Sequence, residues 1–274
     1  MIQLEQHYGW TTMPFQRASE GEQFYESQIH QEALARLQLV VSQREFGLLT
    51  GEIGSGKSTV IRRLVGELNA LQVMPIYICL SGLKPKDFYG EVLRQLGETP
   101  PFGLVKAKRM WEEQILALRE QTEKQWVVVI DEAQDMSDAM IQELRYIRNQ
   151  DMDGSSSFTL LLVGQPEVRV KMRMKKYQAI SQRISLSYHL HGLTDAETVA
   201  YIRHHLKQAG AAQPMFTDGA LHKIFTASQG IPRVINHICL QALYDAAHRG
   251  SEIVEESHVG RILLDQERQR GTAG

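Results

Sequence analysis

Gly51-Glu52-Ile53-Gly54-Ser55-Gly56-Lys57-Ser58 satisfies the pattern G-x-x-x-x-G-K-[ST]. The apolar stretch Phe46-Gly47-Leu48-Leu49-Thr50 precedes it, and the helix-compatible run Thr59-Val60-Ile61-Arg62-Arg63-Leu64 follows. That strand–loop–helix setting gives the pattern its physical meaning. Glycines let consecutive backbone N–H groups turn inward around phosphates, and the following helix points its positive end at them. Lys57 then reaches the outer phosphates and Ser58 offers a hydroxyl to Mg²⁺, with Thr59 next in the cradle. The stretch predicts a nucleoside triphosphate, ATP or GTP, as ligand.

Working outward, the 274 residues, 43% of them hydrophobic, are enough for one α/β domain and a smaller companion. The two cysteines, Cys79 and Cys239, lie far apart with no Cys or His at ligand spacing. They point to buried thiols in a reducing cytoplasm, and against a disulfide framework or a zinc site. The stretch Met1 to His7 lacks the basic and apolar regions of an export signal, and the longest apolar runs, such as Trp126 to Ile130 and Leu160 to Val163, are strand-sized. A soluble, cytoplasmic protein with no membrane association is expected. A net charge of −2 gives no bulk attraction to nucleic acid, so any such contact needs a local patch.

Residues 1 to 27 mix aromatics with polar residues without a sustained period, which predicts an irregular lead-in. Ala33, Leu34, Leu37 and Val41 fall at helical spacing within a helix over 29–41. Strands are predicted at 73–80, 126–130 and 158–163, and helices at 85–96, 104–123 and 138–150, with Ser137 capping the last. A polar, glycine-containing loop is read over 151–157. Trp126 to Ile130 is continuously apolar and largely β-branched, as suits a parallel strand buried on both faces. This alternation predicts a doubly wound parallel sheet with right-handed crossovers. Past His191-Gly192 only helical periodicity remains, beginning with the capping box Thr194 and Glu197. Two domains follow: 1–191, α/β, and 192–274, helical, with a frayed end from Gln266.

Val127-Val128-Val129-Ile130-Asp131-Glu132 delivers two carboxylates to the C-terminal edge of the sheet, where ligands bind in such folds. Asp131 is expected in the Mg²⁺ shell and Glu132 to orient and polarise the attacking water. Gln165 ends the next strand, where its amide can sense the γ-phosphate or hold the water; the other reading is a plain loop residue. Arg183 in Gln182-Arg183-Ile184 is the candidate arginine donated to a neighbour's nucleotide, with Arg169 and Arg173 as competitors. In Gly230-Ile231-Pro232-Arg233, proline at the first helical position puts Arg233 in the first turn, where the macrodipole disfavours a cation, so Arg233 is expected to face ATP phosphate.

Together with Tyr8-Gly9-Trp10, Pro14-Phe15 and His30-Gln31-Glu32-Ala33-Leu34, these motifs resemble the general-secretion-protein-A (ExeA) branch of AAA+ ATPases over nearly the whole chain. The resemblance implies a P-loop AAA+ fold with a C-terminal helical lid. It also implies ATP with Mg²⁺ as cofactors, ring or filament assembly as a homo-oligomer, a trans-acting arginine matched by Arg183 and a sensor arginine matched by Arg233. Secretion members continue into a membrane span and a peptidoglycan-binding domain, and this sequence shows neither up to Gly274. It therefore looks more similar to the compact AAA+ regulators of DNA transposition of the TnsC, TniB and MuB type.

The likeness to transposition regulators implies double-stranded DNA as a sequence-indifferent partner, with a transposase and target-selection proteins. It also implies basic DNA-facing loops, matched here by Lys84, Lys86, Lys106 and Lys108, whose alternative is a solvated surface. The run Arg169 to Lys176 is a rival patch, although its methionines also suit a subunit contact. Competing readings are a secretion-type ATPase on an envelope complex, a nucleotide-gated scaffold that scarcely turns over, and a helicase loader.

Overall fold

The computed structural model describes residues 3–16, 25–120, 124–147, 156 and 158–271. In chain order the helices are α1 Leu4–Tyr8, α2 Gln28–Ser42, α3 Lys57–Glu67, α4 Pro85–Gln95, α5 Leu104–Glu120, α6 Asp138–Ile147, α7 Glu167–Met172, α8 Gln178–Ser181, α9 Asp195–Ala209, α10 Asp218–Ser228, α11 Pro232–His248 and α12 Glu256–Gly271. The strands are β1 Phe46–Gly51, β2 Val73–Ile78, β3 Gln125–Ile130, β4 Phe158–Gly164 and β5 Leu186–Leu190. They form one five-stranded sheet in the order β2-β3-β4-β1-β5, with every pairing parallel. The expected α/β parallel-sheet fold is therefore what the chain adopts.

Burial follows position in the sheet. Every residue of the inner strands β1 and β4 is buried, as are Trp126 to Ile130 of β3, because helices cover both faces of a parallel sheet. The edge strand β2 mixes buried and exposed residues and accommodates Pro75, whose missing N–H would cost an inner strand a ladder hydrogen bond. Trp111 of α5 is fully buried, with ring centroids of Phe158 at 5.4 Å and Trp126 at 5.5 Å.

The chain divides into two compact units. One contains residues 30–52 and 56–190, and the other residues 1–29, 53–55 and 191–274. Within the second unit, α9 starts with the expected capping box, Thr194 Oγ1 accepting from the Glu197 backbone N–H at 3.3 Å. The lead-in is not wholly irregular: α1 is a short helix closed by Gly9 in the left-handed region. Its Tyr8 stacks on Trp10 at 4.6 Å and donates to the carbonyl of Leu243 at 3.3 Å. The chain end expected to fray continues as α12 to Gly271.

Other differences are small. β2 ends two residues before the expected Leu80, and Cys79 is exposed, whereas Cys239 is buried as expected. Ser137 Oγ does accept from the Met140 backbone N–H at 3.1 Å. The expected helix ends at 121–123 and 148–150 lie outside the described residues, as do 17–24, 151–155, 157 and 272–274.

One polar cluster joins α4, α5 and α6. Glu143, 7% exposed, accepts from Tyr89 Oη at 2.8 Å and pairs with Lys108 Nζ at 2.7 Å. Burial and then the Glu143 acceptor push the Tyr89 hydroxyl far above the ordinary phenol range, so it stays a donor. Glu143→Leu strands that donor and is expected to destabilise the chain by about 1–3 kcal/mol, with Glu143→Gln costing less because it keeps an acceptor. Denaturant midpoints at constant slope check the ranking.

Candidate nucleotide site

The parallel register brings three strand ends level. Thr50 of β1 pairs with Gly164 of β4, and Ile130 of β3 pairs with Leu162 of β4. Since β4 lies between β3 and β1, Gln165 emerges between the phosphate loop on one side and Asp131-Glu132 on the other.

The loop is built on a left-handed glycine and a buried lysine. Gly56 caps α3 at φ 101°, a region that strongly favours glycine, and a Cβ there would lie 2.3 Å from His30 Nε2. Lys57 opens α3, is 8% exposed, and donates from Nζ to the carbonyls of Gly51 at 2.8 Å and Glu52 at 3.0 Å. Its ammonium thus sits against its own loop. Ser58 is exposed in the first turn of α3. Ser58 and Asp131 offer the hard oxygen donors that Mg²⁺ prefers.

Asp131 is 5% exposed, and both its carboxylate oxygens are engaged. Oδ1 accepts from the Glu132 backbone N–H at 2.8 Å, and Oδ2 accepts a short bond from Tyr77 Oη. Burial and then the Asp131 bond raise the Tyr77 hydroxyl well above its ordinary range, so it remains a donor. The neighbouring Cys79 thiol is also raised, first by partial burial and then by the carboxylates of Asp131, Glu132 and Asp135. Glu132 turns at φ 51°, which costs a non-glycine residue roughly 1 kcal/mol, and its exposed carboxylate accepts from Gln134 Nε2 at 2.6 Å. Gln134 Oε1 accepts in turn from the Gln165 backbone N–H at 3.0 Å.

Tyr77 and Gln134 were not singled out by the sequence reading. Gln134 stands three residues after Asp131, and that spacing is the one signal available for it. Tyr77 carries none, because its role depends on β2 lying beside β3.

The other expected residues are distributed as follows. Arg183 donates from Nη1 to the Arg145 carbonyl at the end of α6, at 2.9 Å. Arg169 is half-buried on α7, and Arg173 follows it exposed. Arg233 is the second residue of α11, and its backbone N–H donates to the Gly54 carbonyl at 3.3 Å. Lys84, Lys86 and Lys106 are exposed, with the Lys86 ammonium 4.3 Å from the Phe102 ring centroid, whereas Lys108 is committed to Glu143. Among the described residues no group of three or more His, Cys, Asp or Glu could hold a metal, and no helix is long and apolar enough to cross a membrane.

Residues 39–172 match a family model described as AAA domain. Over 249 residues the chain is 35% identical to General secretion pathway protein A of Aeromonas hydrophila, an alignment covering 90% of this chain and 45% of that protein. The chain therefore spans less than half the length of this relative. Among solved structures it is similar to Cdc6p from Pyrobaculum aerophilum, with 17% identity, 86% of this chain and 66% of that one covered, and a TM-score of 0.62. It is also similar to Drosophila ORC bound to DNA, with 14% identity, 96% and 65% coverage, and a TM-score of 0.63. At those identities the likeness is one of fold.

Gly56→Ala is expected to abolish nucleotide binding and to lower stability by about 2 kcal/mol, from the dihedral and the His30 clash together. Combined with His30→Ala it should cost less than the two changes summed, because the clash partner has gone. Thermal melts and titration with a fluorescent nucleotide read both effects.

Proposed function

From the match of residues 39–172 to the AAA domain and the parallel-sheet fold we propose that the chain is a Mg²⁺-dependent ATPase that assembles with copies of itself on DNA and regulates transposition. The observation that carries the ATPase reading is the shared sheet edge: the loop leading to buried Lys57 leaves β1, buried Asp131 and solvent-facing Glu132 leave β3, and Gln165 leaves β4 between them.

In this reading the backbone N–H groups of the loop from Gly51 to Ser58 hold the phosphates, and Lys57 exchanges its loop carbonyls for phosphate oxygens. Ser58 and Asp131 hold Mg²⁺, which when bound supplies charge neutralisation across the phosphate oxygens. Glu132 orients the attacking water and takes its proton as the bond from the γ-phosphorus to its bridging oxygen breaks, giving ADP and phosphate. Gln165 holds the water or senses the γ-phosphate. Arg233 reaches phosphate from the start of α11, and Arg183, freed from the Arg145 carbonyl, is the arginine given to the adjacent copy's nucleotide.

DNA contact falls to Lys84, Lys86 and Lys106, with Phe102, 92% exposed, beside Lys86. Lys108 supports that surface through Glu143. Three exposed lysines neutralise few phosphates per copy, so affinity comes from an assembly and falls steeply with salt. The fold relative from Drosophila is itself described as bound to DNA, which is compatible with this use of the fold. A second reading, a secretion-pathway ATPase, is favoured by the 35% identity to General secretion pathway protein A.

Phosphate release measured with and without duplex DNA tests the reading. DNA should stimulate turnover, and Lys84→Glu with Lys86→Glu and Lys106→Glu should remove the stimulation. Glu132→Gln should lower turnover by at least about 100-fold while leaving ATP-dependent particles on DNA in electron micrographs. Turnover indifferent to DNA and to the lysines would turn the assignment toward secretion, and no turnover at all would turn it toward a nucleotide-gated scaffold.

A further inference from the structure

The side-chain amide of Gln134 is used at both ends. Nε2 donates to Glu132 Oε2 at 2.6 Å, and Oε1 accepts from the Gln165 backbone N–H at 3.0 Å. The partners fix the amide's orientation, since a backbone N–H only donates and a carboxylate only accepts. Reversing the amide would lose both bonds.

Three further observations show that this position is built. Lys171 on α7 donates from Nζ to the Gln134 carbonyl at 3.4 Å and to the Met136 carbonyl at 2.8 Å, which anchors the turn carrying the amide. At Gly164 a Cβ would lie 2.7 Å from Gln134 Oε1 and 2.8 Å from Val168 Cγ2, so the end of β4 leaves room for the amide only by having no side chain. Glu132 itself is exposed on a left-handed turn, where packing does not select its rotamer, and a short charge-assisted bond does.

We propose that Gln134 is a positioning residue whose single amide ties the orientation of the Glu132 carboxylate to the end of β4 at Gln165. This rests on the reading of Glu132 as the group that orients water. The bond takes one carboxylate oxygen and aims the other. A shift of the Gln165 backbone, such as a ligand pulling on its side chain would produce, cannot preserve both amide bonds at their present lengths, so it is passed to Glu132. Hydrolytic competence thereby depends on what Gln165 touches.

Two variants and one stability measurement test this. Gln134→Met keeps the length and loses both bonds, and Gln134→Glu keeps an acceptor for Gln165 but sets a second carboxylate against Glu132. Both are expected to lower kcat by about 10- to 100-fold, with Gln134→Glu the lower, while the KM and equilibrium affinity for ATP stay within about threefold. Gly164→Ala should follow Gln134→Met. Separately, melting of Glu132→Ala, Gln134→Met and the double variant should be non-additive by roughly 2 °C, a reading that requires no turnover. Unchanged or increased kcat in Gln134→Met, affinity falling in step with kcat, or strictly additive melting shifts would each overturn the inference. An unmodified chain that never hydrolyses ATP would overturn the ATPase reading alone, with the melting cycle still deciding on the amide.

Discussion

The constraint on which the rest depends is the register of three parallel strands buried on both faces. Inside such a sheet every backbone N–H and C=O is taken by a neighbouring strand, and apolar side chains fill the space above and below, so reactive groups are driven to the strand ends. With Thr50 level with Gly164 and Ile130 level with Leu162, the ends of β1, β3 and β4 release their chains at one edge. The loop leading to Lys57, the pair Asp131-Glu132 and Gln165 are far apart in sequence, and that register sets them at the ends of neighbouring strands.

What was legible beforehand follows from the same physics. Continuous apolar runs ending in Asp131 or Gly164 mark buried strands and the residues that leave them, so the α/β fold and the loop, carboxylate and glutamine positions could be read from one dimension. The bonds linking them could not. Tyr77 reaches Asp131 because β2 lies beside β3, and His30 of α2 stands where a Cβ on Gly56 would have to go, and neither approach leaves a periodic trace. Lys108 looks like any lysine near a helix start until α5 and α6 set it against Glu143.

The missed helical segments have their own causes. α1 is only five residues long, and packing of Leu4 and Tyr8 rather than periodicity supports it. The end of α12 has no apolar residue after Leu264, but Gln266, Glu267, Arg268, Gln269 and Arg270 are good helix formers and extend a helix already nucleated upstream.

The division of the chain bears on its biosynthesis. The helical unit is discontinuous: Tyr8 bonds the carbonyl of Leu243, and Thr11 bonds that of Ala209 at 3.0 Å, across separations of 235 and 198 residues. The sheet unit lies almost entirely in the intervening stretch. A ribosome therefore finishes the sheet unit first, while Leu4, Trp10 and Phe15, all nearly inaccessible in the final fold, wait for partners not yet made. The helical unit can thus close only after α9 and α11 have been made, which sets its completion last in synthesis.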